Sequence, residues 1–250
     1  WEVKPGNHRV LGDGQLMVPL WQDAESLIFA DLRGQLDDQE NYEGNWGIGV
    51  RQIIDDCWIV GGYGFFDLRK TDFGNTFGQA TFGLEALSVD YEARVNGYIP
   101  DSRAKRVDAL NMAEISNGTI VVRRGEERAY YGVDAEVGTL LANWRCGDLE
   151  LRGFVGAFHF DNDAEGFENI SGPRVRLELR GYDLPWLGEG SRVTVGTEYQ
   201  WDQVRDDQVF AMLRVRIPLG RSGNRQLSRL ERRMLDLIVR DVDVVANAQS

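Results

Sequence analysis

The 250-residue sequence contains no run of about eighteen consecutive apolar residues, so no transmembrane helix can be drawn on it. It has only two cysteines, Cys57 and Cys146, and they show no metal-ligand spacing. An oxidising compartment would permit a disulfide between them, but the strand map below puts several strands between the two, so both are expected to be unpaired. Histidine is equally scarce. His8 and His159 lie far apart in different settings, and a histidine-based hydrolase or metal site would need partners that the sequence does not offer. Proline occurs six times and basic residues do not predominate: 28 Lys and Arg face 40 Asp and Glu, for a formal charge of −12. That balance argues against nucleic acid and anionic membrane surfaces as partners, since phosphate recognition needs a basic face.

What the sequence has in quantity is glycine (29), aromatic residues (7 Trp, 8 Tyr, 11 Phe) and an alternation of apolar and charged positions. Tyr91, Ala93, Val95, Gly97 and Ile99 alternate with Glu92, Arg94, Asn96 and Tyr98. Val175, Leu177 and Leu179 alternate with Arg174, Arg176, Glu178 and Arg180, and Leu213, Val215 and Ile217 alternate with Arg214 and Arg216. Side chains of a strand point alternately to its two faces, so each such segment has one apolar and one wet face. Segments of about ten residues with this pattern are the signature of a transmembrane β-barrel. Glycine and aromatics suit tightly curved strands and interfacial girdles.

Strands are expected near 2–10, 14–21, 26–36, 44–54, 57–68, 76–88, 91–100, 129–142, 148–160, 173–183, 191–202 and 207–219, the first being interrupted by Pro5 and Gly6. Short connections at 55–56, 88–90, 143–147 and 184–190 alternate with longer, acidic ones at 37–43, 69–75, 101–128 and 161–172. Short turns at one rim and long loops at the other match an outer-membrane barrel with the long loops outside. Within the longest loop, Asn111 to Val122 could form a short hairpin or helix. Residues 1–219 therefore read as an all-β, antiparallel up-and-down transmembrane barrel of about twelve strands, and 220–250 as a post-barrel segment. That segment opens with a flexible break, Gly220 to Asn224. Leu227, Leu230, Met234, Leu237 and Ile238 then recur at helical spacing, and Asp241 to Val245 alternate like a short strand. The amphipathic helix has two destinations, the lumen or the periplasmic membrane face, and the charges on its polar side favour the lumen. A chain beginning at Trp1 fits a protein whose export signal has been removed.

The inward face assigned by this alternation carries Asp31, Arg33, Arg51, Asp67, Glu85, Glu92, Arg94, Asp134, Glu136, Glu150, Arg152, Arg174, Arg176, Glu178, Arg180, Glu198, Arg214 and Arg216. These charges would line a polar lumen, either a water-filled pore or a wall around a threaded segment, and cross-strand ion pairs would satisfy them. No catalytic constellation, cofactor or metal is implied. The acidic runs at 37–40 and 161–165 could hold calcium, but glycine is not placed as in an EF-hand loop, and solvated loop charge is the plainer reading. Gly61-Gly62-Tyr63-Gly64 lies inside a strand with no helix after it, so it reads as close packing or barrel curvature and not as a phosphate loop.

Asn45-Trp46-Gly47-Ile48-Gly49-Val50-Arg51-Gln52, followed by Trp58 through Asp67, Gly83-Leu84-Glu85-Ala86 and Val95-Asn96-Gly97-Tyr98-Ile99-Pro100, resembles the barrel of intimin and invasin, the inverse autotransporters. The resemblance covers most of residues 14–219 and rests chiefly on the order of these pieces. It implies a twelve-stranded barrel in the bacterial outer membrane whose tail enters the lumen from the periplasmic end and leads to a secreted passenger. The implied partners are outer-membrane lipid, the β-barrel assembly machinery and periplasmic chaperones. Two departures stand out. No immunoglobulin-like repeats follow Val245 and no peptidoglycan-binding module precedes the barrel, so a stand-alone porin or structural barrel is the alternative to a translocator and anchor. An outer-membrane enzyme is the third and least favoured reading.

Overall fold

The computed structural model describes residues 1–39, 41–101, 103–116, 119–164, 166–219, 227–240 and 244–249. Seven strands come first: β1 (Glu2–Pro5), β2 (Val10–Gln22), β3 (Ser26–Asp37), β4 (Tyr42–Ile54), β5 (Trp58–Lys70), β6 (Thr76–Leu87) and β7 (Tyr91–Pro100). A long loop follows, carrying β8 (Lys105–Arg106), β9 (Met112–Ser116), β10 (Thr119–Arg123) and β11 (Glu126–Ala129). The chain then forms β12 (Tyr131–Trp144), β13 (Leu149–Asp161), β14 (Ile170–Tyr182), β15 (Arg192–Asp202), β16 (Asp206–Arg216), the one-turn helix α1 (Arg229–Arg233) and β17 (Ala246–Gln249). Twelve of the strands, β1–β7 and β12–β16, close into one antiparallel barrel, with β7 paired to β12 across the long loop and β1 paired to β16 at the seam.

Alternation dictates the two faces. Along β14, Val175, Leu177 and Leu179 are exposed outside while Arg176, Glu178 and Arg180 are buried inside. Trp21, Trp58, Tyr91 and Trp144 are exposed at the rim of short turns, and Tyr42, Tyr131, Tyr199 and Trp201 at the opposite end. An apolar band between two aromatic girdles is the outer surface of a membrane barrel. From β2 onward the barrel strands run from 10 to 14 residues, enough to cross a bilayer at a tilt.

The strand glycines have a packing role on the inner face. Phe29 lies directly opposite Gly49 and Tyr63 opposite Gly83. A Cβ at Gly49 would come within 2.5 Å of the Phe29 ring, and one at Gly83 within 2.2 Å of the Tyr63 ring. Each ring lies across the neighbouring strand, which only glycine permits. Gly61, in the Gly-Gly-Tyr-Gly run, faces Arg51 and Glu85 closely enough that a Cβ would sit 3.0 Å from Glu85 Oε1.

Connections at 23–25, 55–57, 88–90, 145–148 and 183–191 share one rim. In the first of these turns the Glu25 and Ser26 N–H groups donate to Asp23 Oδ1 at 2.9 and 2.7 Å, which holds this carboxyl below its ordinary range. The opposite rim carries 38–41, 71–75, 101–130 and 162–169, but also the short connections 6–9 and 203–205. The alternation of turn and loop therefore fails on both sides of the seam strand.

Several element bounds differ from the sequence reading. The expected strand 2–10 is two pieces: β1 stops at Pro5, the chain turns at 6–9, and Val10 opens β2. Residue 129 belongs to β11, and residues 217–219 lie beyond the end of β16. Of the two forms expected for 111–122, hairpin or helix, the paired strands β9 and β10 match the first. The expected amphipathic helix is reduced to α1, whose capping box joins Ser228 and Glu231, and Leu237 and Ile238 lie outside it. Val244 and Val245 precede β17 instead of forming a strand, while residues 220–226 and 241–243, which hold the expected break and the start of that strand, lie outside the described residues.

Candidate functional site

Asp31, Arg33, Arg51, Asp67, Glu85, Glu92, Arg94, Glu136, Arg152, Arg176, Glu178, Arg180 and Glu198 are buried inside the barrel, as are Asp134 and Glu150. Arg174, Arg214 and Arg216 are half-buried there. Strand register brings opposite charges face to face: Glu85 with Arg94, Glu136 with Arg94, Arg152 with Glu178, and Arg176 with Glu198. A belt of ion pairs results. Arg51 meets Glu85 at 2.6 Å, and Arg94 reaches Glu92 at 2.5 Å and Glu136 at 3.5 Å. Arg176 joins Glu136 at 2.5 Å and Glu178, and Arg180 joins Glu178 at 2.6 Å. Charges buried without such partners would be prohibitively costly.

Members of this belt, together with other wall charges, grip the tail, which runs through the barrel. At the short-turn rim Arg229 pairs with Glu150 at 2.9 Å, and Arg232 pairs with Asp148 and Asp183, both at 3.2 Å. Arg233 forms an ion pair with Glu92 at 2.9 Å and donates to the Ser88 carbonyl at 2.6 Å. Asp236 gathers Arg192, Arg233 at 3.1 Å, Arg216 at 3.7 Å and Arg180 at 3.8 Å. Deeper in, Arg240 pairs with Asp67 at 2.7 Å, and at the far rim the Val244 N–H donates to Glu43 Oε2 at 2.9 Å. Both ends of the lumen are thus touched in sequence order.

Between α1 and β17, wall side chains supply partners for the carbonyls of Met234, Leu235, Asp236, Ile238 and Val244. Arg51 Nη1 donates to the carbonyls of Met234 and Asp236 at 2.7 and 2.6 Å. Arg216 donates to Leu235 at 2.8 Å, Arg33 to Ile238 at 2.8 Å and Arg69 to Val244 at 2.7 Å. A buried carbonyl must be satisfied. These donors explain why the apolar repeat at 227–238 is not continued as helix beyond Arg233: the wall takes carbonyls that a longer helix would have used internally.

Apolar sockets complete the fit. Leu230 packs with Ile59 and Leu87, Ile238 with Leu27, Phe29, Tyr63 and Phe65, and Val244 with Phe77 and Ala129. Val245 joins Tyr98, Tyr130, Phe158, Phe160, Phe167 and Ile170. Burial here raises the Tyr130 phenol above its ordinary pKa.

Of the wall residues singled out from sequence, Arg33, Arg51, Asp67, Glu92, Glu150, Arg180 and Arg216 touch the tail; most others pair with these or with one another, while Arg214 pairs with Glu2 and Asp134 accepts from Asn96 and Tyr98. Sequence reasoning overlooked Glu43, Arg69 and Arg192, although all three stand at strand ends where the alternation could have been extended. It also overlooked the inner aromatics, for which the only signal was a glycine on the neighbouring strand. The cysteines are free and exposed. His8 and His159 are both exposed and far from the lumen contacts: His8 Nε2 lies near the Asp207 carbonyl, and His159 Nδ1 bonds Ser171 Oγ at 2.5 Å. Among the described residues no group of three or more His, Cys, Asp or Glu side chains could hold a metal. Of the two acidic runs, Glu40 and Glu165 lie outside the described residues, and Asp37 Oδ1 instead accepts the Gln39 and Asn41 N–H groups. The chemistry on offer is hydrogen bonding and charge pairing to a polypeptide.

Residues 5–164 match the family model described as the inverse autotransporter β-domain. No curated protein matches the sequence. Among solved structures, one from a study of the in-meso crystallization of membrane proteins is similar at a TM-score of 0.66 and 18% identity, covering 99% of this chain and 98% of that one. The NanC porin is similar at a TM-score of 0.48 and 11% identity, covering 86% and 99%. The β domain of the Bordetella autotransporter BrkA is similar at 0.42 and 13%, covering 85% and 94%.

Proposed function

From the premise that this chain belongs to the inverse autotransporter β-domain family, we propose that it anchors and exports a polypeptide continuing from the C-terminal end of its barrel. The barrel would sit in the bacterial outer membrane with the loops at 38–41, 71–75, 101–130 and 162–169 outside and the short turns in the periplasm. Outer-membrane lipid, the β-barrel assembly machinery and periplasmic chaperones would be its partners, as for other barrels that must close inside a bilayer.

The observation that carries this reading is the satisfaction of tail carbonyls by Arg33, Arg51, Arg69 and Arg216. Recognition of backbone carbonyls suits a conduit through which different sequences pass in turn, and the ion pairs of Asp236 and Arg240 suit the point at which passage stops. The deciding experiment removes residues 221–250 and measures single-channel conductance in planar bilayers. Conductance should rise severalfold. A wide conductance in the full chain, unchanged by the deletion, would instead identify a stand-alone porin. Protease added to intact cells should cut within 101–128 and spare 184–190; the reverse pattern would invert the orientation.

A further inference from the structure

The long loop between β7 and β12, whose sequence identifies no ligand, holds a strand beside the emerging tail. β11 is the middle strand of a three-stranded sheet, with β8 on one edge and β17 on the other. Its register sets Glu126 opposite Gln249, Arg128 opposite Asn247 and Ala129 opposite Ala246. The Tyr130 N–H donates to the Val245 carbonyl at 2.8 Å, carrying the antiparallel pairing one residue towards the lumen. β11 is fastened independently of the tail. The buried Glu127 accepts from Thr71 Oγ1 at 3.0 Å and Asn75 Nδ2 at 2.7 Å, both on the β5–β6 loop. From the β13–β14 loop, Asn162 Nδ2 donates to the Ala129 carbonyl at 2.9 Å. Two neighbouring loops thus hold one strand edge open to whatever leaves the lumen.

The geometry points to β11 as a docking strand that takes the exported polypeptide by strand addition, with residues 246–249 as its occupant. This rests on the export reading above. A strand edge reads backbone N–H and C=O groups, so it accepts chains of varied sequence. The occupant, Ala-Asn-Ala-Gln, has little β propensity of its own, so the extended form is imposed by the partner edge. Docked there, the exported chain is held on the loop side of the barrel and opposed from sliding back.

The test uses the full chain carrying Cys57→Ser and Cys146→Ser. Arg128 and Asn247 are directly opposed, so their side chains share a face and their Cα atoms lie within disulfide reach, whereas the Ala248 side chain points to the other face. Under mild oxidation, Arg128→Cys with Asn247→Cys should form the intrachain disulfide in roughly tenfold greater yield than Arg128→Cys with Ala248→Cys. Equal yields, or no bond in either pair, overturn the docking strand. If no bond forms, the tail-deletion conductance separates the two failures: a rise leaves the threaded tail standing, and no rise removes both readings. In a second arm, proline deletes a single N–H. The Tyr130–Val245 bond fixes the alternation, so the Asn247 N–H points at β11 and the Ala248 N–H points away. Asn247→Pro should raise the frequency of spontaneous channel openings roughly tenfold, and Ala248→Pro by less than about twofold. Equal effects of the two prolines overturn the proposal.

Discussion

On the side of the lumen formed by β3, β4, β5 and β7, the tail lies against the wall, its carbonyls taken by Arg33 and Arg51 and Ile238 seated among Phe29, Tyr63 and Phe65. On the side of β1, β2, β14, β15 and β16, tail residues Leu237 to Arg240 border a cavity of about 90 Å³ lined by Lys4, Asp13, Arg174, Glu198 and Arg214 among others. Both sides descend from the same alternation and carry the same residue types. They differ in what answers the charge. The filled side pairs its arginines with tail and wall groups; the open side has close pairs of its own, Arg214 with Glu2 at 2.5 Å and Lys4 with Glu198 at 3.0 Å, but also leaves room for several waters, with Arg174 standing 3.9 Å from Glu198. Charge in the lumen therefore has two uses, gripping a chain and wetting the space beside it, and alternation in the sequence does not separate them.

The largest effect should come from Arg51→Leu on the filled side. This fully buried guanidinium donates to Glu85, Met234 and Asp236, and removing it leaves Glu85 only the Arg94 contact at 3.7 Å and takes the donor from two carbonyls. A broken buried pair of this kind costs about 3–5 kcal/mol, to be read as a lower unfolding midpoint in detergent and as more frequent channel opening. Leu177→Arg tests the outer face of the wall on the open side. Arginine at a mid-bilayer, lipid-facing position costs about 2–4 kcal/mol, so refolding into vesicles should suffer more than with Arg176→Leu next door, after which Glu136 and Glu178 keep Arg94 and Arg180. Equal losses would mean that the open side is as dry as the bilayer. The smallest change is expected from Glu198→Gln, whose partners Lys4 and Arg174 border the cavity. Water there should limit the loss to about 1 kcal/mol, while the tail-deleted pore shifts its cation-to-anion permeability ratio. A stability loss matching that of Arg51→Leu would erase the distinction between the two sides.

Most of the wall was legible because a barrel strand records its surroundings twice per period. The 91–100 strand matches β7, and 173–183 falls within about three residues of β14, Ile170–Tyr182. Pro5 and Gly6 marked the interrupted first strand, yet only pairing reveals that Val10 starts the next one: Gly6 and Arg9 close a turn through a 2.9 Å backbone bond. The tail was legible in composition but not in conformation. Leu230, Met234, Leu237 and Ile238 have helical spacing in any window of sequence. What removed the helix beyond Arg233 was a set of donors on β3, β4 and β16, more than fifteen residues away along the chain in every case.

The sequence by itself determined an antiparallel barrel, its inner and outer faces and a charged lumen, because alternation with period 2 is a local property that survives without knowledge of neighbours. Tertiary structure alone decided which inward charges hold the belt together and which reach the tail, where glycine makes way for an aromatic ring, and that the loop strand β11 meets the tail at the mouth. Those outcomes depend on strand register and barrel closure. Both are set by pairings between residues far apart in the chain, and no window of sequence contains them.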